Sequence, residues 1–134
     1  MINVKQIATQ DWHNTKVSIL GAGSSGIAAA KLCRKVGARP FISDYKNDSK
    51  LKNKLKSYEF ELNGHSNKVL DSDLVIISPG INPRVPIVKK VLKAKIPIVS
   101  EIEFAFWFSK LPIIAVTGSN GKSTTVNLIK EMFD

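Results

Sequence analysis

The sequence is poor in cysteine and in long hydrophobic runs, and both shortages exclude classes of protein. A single cysteine, Cys33, among 134 residues cannot form an internal disulfide or a cysteine-based metal cluster. Cys33 falls on the expected buried side of a helix, which favours an inert core thiol. No apolar run approaches the roughly 20 residues of a membrane span. Residues 1–16 lack the basic, apolar and small-residue regions of a signal peptide, so we expect a cytoplasmic protein that does not bind a membrane.

Arginine and aromatic residues are also scarce, although the net charge is +9. Only three of the 20 basic residues are arginine, the side chain favoured for contacts with bases, namely Arg34, Arg39 and Arg84. The aromatic residues, 7% of the chain, are not interleaved with the positive charge as a single-strand binder requires. We therefore expect no nucleic-acid partner, and anionic small molecules explain the charge better.

Strand-like and helix-like segments alternate along the chain. The strands are apolar throughout instead of alternating with polar residues, which is typical of a parallel sheet covered by helices on both faces. The predicted strands are 16–20, 39–43, 60–62, 73–78, 97–100 and 112–117, and the predicted helices are 24–36, 49–57, 86–95, 101–110 and 121–133. The pattern predicts an α/β, Rossmann-like fold over most of the chain, followed by a further strand, glycine turn and helix.

The first glycine turn, "GAGSSG", matches G-x-G-x-x-G between a strand and a helix. Gly21 permits the tight turn, Gly23 lets a phosphate approach the backbone, and Gly26 lets the helix pack closely on the strand. Asp44 ends the next strand about 20 residues later, where an acidic residue usually contacts a ribose hydroxyl. The motif is common in NAD-binding proteins, but it does not distinguish NAD from another nucleotide, nor from a turn that serves packing only.

The second glycine turn, "TGSNGKST", again stands between a strand-like and a helix-like segment. The long Walker form requires glycine at position 116, where this chain has Val116, so the loop is a shortened one. Backbone N–H groups of 118–123 can surround a β-phosphate, Lys122 can reach the β and γ oxygens, and Ser123 can ligate Mg²⁺. The predicted ATP-binding residues are Gly118, Ser119, Asn120, Gly121, Lys122, Ser123 and Thr124.

Together, the two turns disfavour both a plain dehydrogenase and a plain ATPase. Their order resembles that of the Mur ligases, through "GAGSSGIAAAKL", Asp44, "DLVIISPGINPRVP", "PIVSEIEFAF" and "PIIAVTGSNGKSTT". The "SPGI" turn and the "EIE" segment are most similar to the members that add D-glutamate. The alanine-adding members usually carry "G-I-G-G-x-G-M-S" at the first turn, which this chain lacks.

The resemblance implies a UDP-sugar-binding domain in residues 1–100 and the start of the central ATP-binding domain in 101–134. It places Ser24 and Ser25 against uracil and diphosphate, Asp44 and Lys46 against the uridine, and Gly80 beside the diphosphate. Many relatives have a Thr-Arg pair after the acidic residue, where this chain has Tyr45 and Lys46. Lysine keeps the charge but lacks the bidentate fork of arginine.

The implied reaction is the ATP-dependent addition of D-glutamate to UDP-N-acetylmuramoyl-L-alanine in peptidoglycan synthesis, through an acyl phosphate. Lys122 and Mg²⁺ on Ser123 would act catalytically, by neutralising charge on the transferring phosphoryl group. Residues that the family uses for a second metal and for D-glutamate are not among these 134, so we expect this stretch alone to be inactive. The alternatives are another Mur ligase, such as an alanine-adding one, an NAD-dependent oxidoreductase domain, or a non-catalytic binding module.

The remaining candidate residues are expected to have structural roles. His13 and His65 have no partner at ligand spacing, so surface or structural roles are favoured. Trp12 and Trp107 could stack on a ligand, but the apolar segment "EFAFWF" around Trp107 indicates packing in a core or an interface.

Overall fold

The computed structural model describes residues 10–133. Residues 1–9, which carry part of the signal-peptide argument, and residue 134 lie outside this range. The strands are β1 (Lys16–Leu20), β2 (Arg39–Asp44), β3 (Glu59–Leu62), β4 (Leu74–Ile77) and β5 (Ile98–Ser100). The helices are α1 (Ser24–Lys35), α2 (Ser49–Leu55), α3 (Pro86–Lys93), α4 (Glu101–Phe108) and α5 (Lys122–Phe133), with a short 3₁₀ turn at Asn67–Leu70.

The five strands form one parallel sheet in the order β3-β2-β1-β4-β5. The chain starts in the middle, moves outward through β2 and β3, and returns to the other side of β1 for β4 and β5. Ile19 of β1 consequently lies between Ile42 of β2 and Ile76 of β4. The direction of winding reverses between β1 and β4, and ligands of such sheets bind at the carboxyl ends of the strands beside that reversal. The Rossmann-like fold predicted from the sequence is confirmed.

Two hydrophobic clusters cover the two faces of the sheet, as the continuous apolar strands require. Val17 and Ile19 point into the cluster under α1, α2 and α4, whereas Leu20 points into the cluster under α3 and the 3₁₀ turn. Cys33 of α1 is fully buried in the first cluster. Burial raises the pKa of the Cys33 thiol to about 12, so it stays protonated and inert, as predicted.

Helix α4 continues the first cluster beyond residue 100. Phe104 and Trp107 are buried, and both rings contact Trp12 in addition to each other. The tryptophans therefore pack in a core, as predicted. The division of the chain into domains at residue 100 remains a prediction. Among residues 10–133, no helix is both long enough and apolar enough to cross a bilayer.

The predicted strand at 112–117 is wrong: these residues form neither a strand nor a helix. Ile113 and Ile114 are 56% and 60% exposed. A β-strand satisfies its backbone N–H and C=O groups on a neighbouring strand. The sheet formed by residues 10–133 ends at β3 and β5 and takes up no sixth strand. The first strand of the predicted second domain is therefore absent, whereas the helix after the glycine turn is present as α5.

Candidate functional site

The first glycine turn lies at the reversal of the sheet, between the ends of β1 and β4. A Cβ added to Gly21 would stand 2.7 Å from the Ser78 hydroxyl, so only a glycine lets the turn approach β4 this closely. The N-cap of α1 is Gly23, which offers no side-chain acceptor, and the first intrahelical bond runs from Ile27 N–H to Gly23 C=O at 3.0 Å. The N–H groups of the first turn, including that of Ser25, are thus left for a ligand.

Asp44 ties the glycine turn to the end of β2. Its Oδ2 accepts a hydrogen bond from Ala22 N–H at 2.6 Å, and its Oδ1 accepts one from Lys46 N–H at 2.7 Å. The side chain is buried, with 8% exposure. Each carboxylate oxygen has a second lone pair, so a ribose contact remains compatible with these bonds. The structure therefore brings Asp44 and Lys46 to the glycine turn, and adds a positioning role for Asp44.

The "SPG" segment completes the rim of this site. The Ser78 hydroxyl donates a hydrogen bond to the buried carboxylate of Glu101 at the start of α4, and the Ile81 N–H bonds back to the Ser78 carbonyl at 2.9 Å. Gly80 lies exposed inside this turn, and Ile81 approaches Gly21. Gly80 therefore shares the carboxyl edge of the sheet with the glycine turn, and its contact with a diphosphate remains a prediction. The link between Ser78 and Glu101 was not predicted.

A second polar cluster, formed by Ser43, Glu61 and His65, lies at the ends of β2 and β3. The fully buried Ser43 hydroxyl is 2.6 Å from Glu61 Oε1 and 2.6 Å from His65 Nδ1. Sequence reasoning treated His65 as isolated, because Ser43 is distant along the chain. The parallel register, which places Ser43 opposite Glu61, is the signal that could have revealed the cluster.

The cluster shifts two pKa values. Burial of the ring lowers the pKa of His65 below its ordinary value of 6.5, although the charges of Asp44 and Glu61 act to raise it. Partial burial acts to raise the pKa of Glu61, but hydrogen bonds from Ser43 and Ser66 and the charge of His65 outweigh it. The pKa of Glu61 consequently lies below its ordinary value of 4.5.

The lowered pKa of His65 predicts a loss of stability on mild acidification. The unfolded chain takes up the proton first, so the contribution of neutral His65 is complete above 6.5 and is lost as the pH falls through the lowered folded pKa. Glu61 acts in the same direction, but only below 4.5. We expect urea unfolding at about pH 7.5 and about pH 5.5 to show a larger loss in the parent chain than in His65→Asn. His13→Asn, at an exposed histidine, is the control, and an equal loss in parent and His65→Asn would contradict the prediction.

The second glycine turn folds at the start of α5. Gly118 and Gly121 have φ angles of 151° and 76°, which side-chain-bearing residues rarely adopt. Lys122 Nζ donates to the Gly118 carbonyl, and the Thr125 hydroxyl donates to the Gly121 carbonyl at 3.0 Å. All the predicted ATP-binding residues are exposed. The loop therefore exposes its backbone at a helix N-terminus, which suits a phosphate.

Ser123, the predicted Mg²⁺ ligand, lies exposed in the first turn of α5. Within residues 10–133, no group of three or more histidine, cysteine, aspartate or glutamate side chains could hold a metal ion. A hydroxyl is an oxygen donor of the kind that Mg²⁺ accepts, and this ion usually takes one or two protein ligands together with substrate phosphates and water. Ser123 fits that requirement.

The first of these two sites lies in a part of the chain that matches a protein-family model. Residues 15–100 match the family described as Mur ligase MurD-like, N-terminal domain. The chain belongs to this family. The match spans all five strands, the "GAGSSG" turn and the "SPG" turn. The predicted resemblance to the Mur ligases is therefore confirmed for the MurD-like domain.

Curated proteins extend the similarity beyond residue 100. The UDP-N-acetylmuramoylalanine--D-glutamate ligase of Chloroherpeton thalassium is 42% identical in an alignment of length 124 that covers 89% of this chain and 26% of that protein. The enzyme of the same name from Christiangramia forsetii is 45% identical in an alignment of length 121 that covers 87% of this chain and 27% of that protein. This MurD-like chain therefore spans about a quarter of the length of these relatives.

Among solved structures, a glyoxylate reductase from Paecilomyes thermophila aligns with a TM-score of 0.51. The alignment covers 68% of this chain and 28% of the reductase, at 21% identity. At that identity the likeness concerns the fold alone, and it agrees with the Rossmann-like sheet.

Proposed function

We propose that this chain is the sugar-nucleotide-binding part of a ligase that adds D-glutamate to UDP-N-acetylmuramoyl-L-alanine, together with the beginning of its ATP-binding part. The observation that carries the proposal is the glycine turn of a MurD-like domain, held against "SPG" at the reversal of the sheet. The names of the relatives support the substrate and the amino acid. The proposed setting is peptidoglycan synthesis in the cytoplasm.

In the proposed complex, the UDP diphosphate lies at the start of α1, where Ser24 and Ser25 offer backbone N–H groups and hydroxyls. Gly80 leaves room for the diphosphate, because nothing lies within 4 Å of a Cβ placed there. Lys46 is exposed beside Asp44 and supplies positive charge to the uridine side. All four residues belong to the carboxyl edge of the sheet, which is where ligands of this fold bind.

The proposed role of the second turn is to hold ATP. Lys122 would leave the Gly118 carbonyl for the β and γ oxygens, and the N–H groups at the start of α5 would face the phosphates. Ser123 would hold Mg²⁺, which neutralises phosphate charge when bound. In the whole ligase, this charge neutralisation favours transfer of the γ-phosphoryl group to the substrate carboxylate. Residues 10–133 alone are proposed to bind these nucleotides but not to catalyse the addition of D-glutamate.

Calorimetric titration of the chain with UDP, UDP-N-acetylmuramoyl-L-alanine and NADH tests the first site. We expect both uridine ligands to bind more tightly than NADH, and Lys46→Ala to weaken them several-fold through the loss of a charge-assisted contact. Lys52→Ala on α2 is the matched control, because Lys52 is also exposed but is not among the residues proposed to contact the ligand. A preference for NADH would refute the proposal and favour the oxidoreductase alternative.

A ligation assay with the full-length protein separates the two ligase alternatives. D-glutamate and UDP-N-acetylmuramoyl-L-alanine should give product, whereas L-alanine with the sugar nucleotide lacking its alanine should not. Product from the L-alanine pair alone would favour the alanine-adding alternative.

A further inference from the structure

Tyr45 and His65 form a pair of rings at the carboxyl edge of the sheet, immediately after β2. The ring centroids are 4.5 Å apart and the rings meet edge to face at 79°. Tyr45 nevertheless remains 55% exposed. One surface of the ring is therefore fixed by His65 while the rest faces solvent.

His65 is itself anchored to the sheet. Its Nδ1 lies 2.6 Å from the Ser43 hydroxyl, and Ser43 is fully buried and bonded to Glu61. Within residues 10–133, the buried Nε2 of His65 has no hydrogen-bond partner. A neutral imidazole in this state offers its ring to Tyr45 from a fixed position. Tyr45 is thus packed against a side chain that is bonded to the buried Ser43 of β2.

The position of the pair along the edge indicates what it could contact. Asp44, the residue before Tyr45, bonds to Ala22 in the glycine turn at 2.6 Å. A nucleotide whose diphosphate lies at the start of α1 places its ribose near Asp44, as nucleotides on this fold do. The base then extends further in the same direction, from β1 past β2, towards the segment after β2 that carries Tyr45.

We propose that Tyr45 stacks on the base of the bound nucleotide, and that His65 is the positioning residue that fixes the Tyr45 ring. The inference rests on the proposed function, since it assigns the base of the proposed UDP ligand. Tyrosine is suited to the role because it presents a large flat surface and has few rotatable bonds to order.

Titrations of the 134-residue chain with UDP and with inorganic pyrophosphate test the role of Tyr45. Pyrophosphate has no base, so stacking cannot contribute to its binding. We expect Tyr45→Phe to bind UDP within about twofold of the parent, and Tyr45→Ala to bind it about tenfold more weakly, the usual scale for loss of one base–aromatic stack. Pyrophosphate binding should be the same in all three proteins.

The positioning role of His65 is tested by NMR as well as by affinity. In His65→Ala, the Tyr45 ring resonances should move towards those of a free tyrosine, and UDP binding should weaken several-fold. In His13→Ala, at the other histidine, neither should change. Uracil H5 and H6 should shift upfield on binding to the parent but not to Tyr45→Ala, which reports the stack independently of the affinities.

The outcomes separate this inference from the function on which it rests. If the parent chain binds UDP and Tyr45→Ala binds it within twofold, the base lies elsewhere and the inference is overturned while the proposed function stands. An equal loss of affinity for UDP and for pyrophosphate in Tyr45→Ala overturns it as well, because the substitution then does not act through a contact with the base. If the parent chain prefers NADH or does not bind UDP, both proposals are overturned.

Discussion

Gly26→Ala is expected to destabilise the protein by about 3 kcal/mol, at the upper end of the range for overpacked interiors. A Cβ at this position would stand 2.0 Å from the carbonyl oxygen of Gly21, so the added methyl meets rigid backbone. Alanine ordinarily stabilises a helix by about 1 kcal/mol relative to glycine, but this clash outweighs the gain. Chemical unfolding at neutral pH measures the change. UDP affinity should fall as well, because Gly21 and α1 must separate to admit the methyl group.

Gly23→Ala is the matched control for Gly26→Ala. Nothing lies within 4 Å of a Cβ at Gly23, and its backbone is extended, with φ −67° and ψ −176°. Alanine is a poorer N-cap than glycine, so the unfolding free energy should fall by no more than about 1 kcal/mol, well short of the loss expected for Gly26→Ala. Equal destabilisation by both changes would mean that the third glycine of the motif is not needed for the contact between helix and strand.

The sequence predicted the elements and turns that depend on local residues. Apolar strands and the helix predicted at 24–36 after the first glycine turn are local features, and the sheet followed from their alternation. Partners distant in sequence were not predictable in this way. Ser43, Glu61 and His65 meet only because β2 and β3 pair in one particular parallel register. The contact of His65 with Ser43 could not be predicted from the spacing of these residues in the sequence.

The prediction for Asp44 was incomplete for a related reason. The spacing from the glycine turn indicated a ligand contact, but both carboxylate oxygens also accept backbone hydrogen bonds, from Ala22 and Lys46. The strand predicted at 112–117 was wrong because an apolar run reports a preference for burial and not the presence of a neighbouring strand. Periodicity alone could not show that the edge of the sheet lies at β5.

Phe104→Ala is expected to cost about 3–5 kcal/mol, the usual range for removing a buried phenylalanine side chain. Phe104 is fully buried, and its ring contacts Trp12, Trp107 and Phe108 at centroid distances of 5.7, 6.0 and 5.2 Å. Alanine leaves a cavity that these rigid rings cannot fill. Urea unfolding followed by tryptophan fluorescence measures the change, because both tryptophans border the cavity.

Phe106→Ala is the control for Phe104→Ala, since it removes the same side chain from the same helix at a position that is 44% exposed. Its cost should be well under half that of Phe104→Ala, because much of its ring already faces water. The comparison also tests the predicted division at residue 100. If α4 belonged to a unit that folds independently of the sheet, Phe104→Ala would leave the unfolding of residues 10–100 unchanged. A single unfolding transition whose midpoint shifts to lower urea would instead show that α4 unfolds together with the sheet of the MurD-like domain. In that case the buried Glu101 of α4, which accepts a hydrogen bond from Ser78, belongs to the same folding unit as the glycine turn.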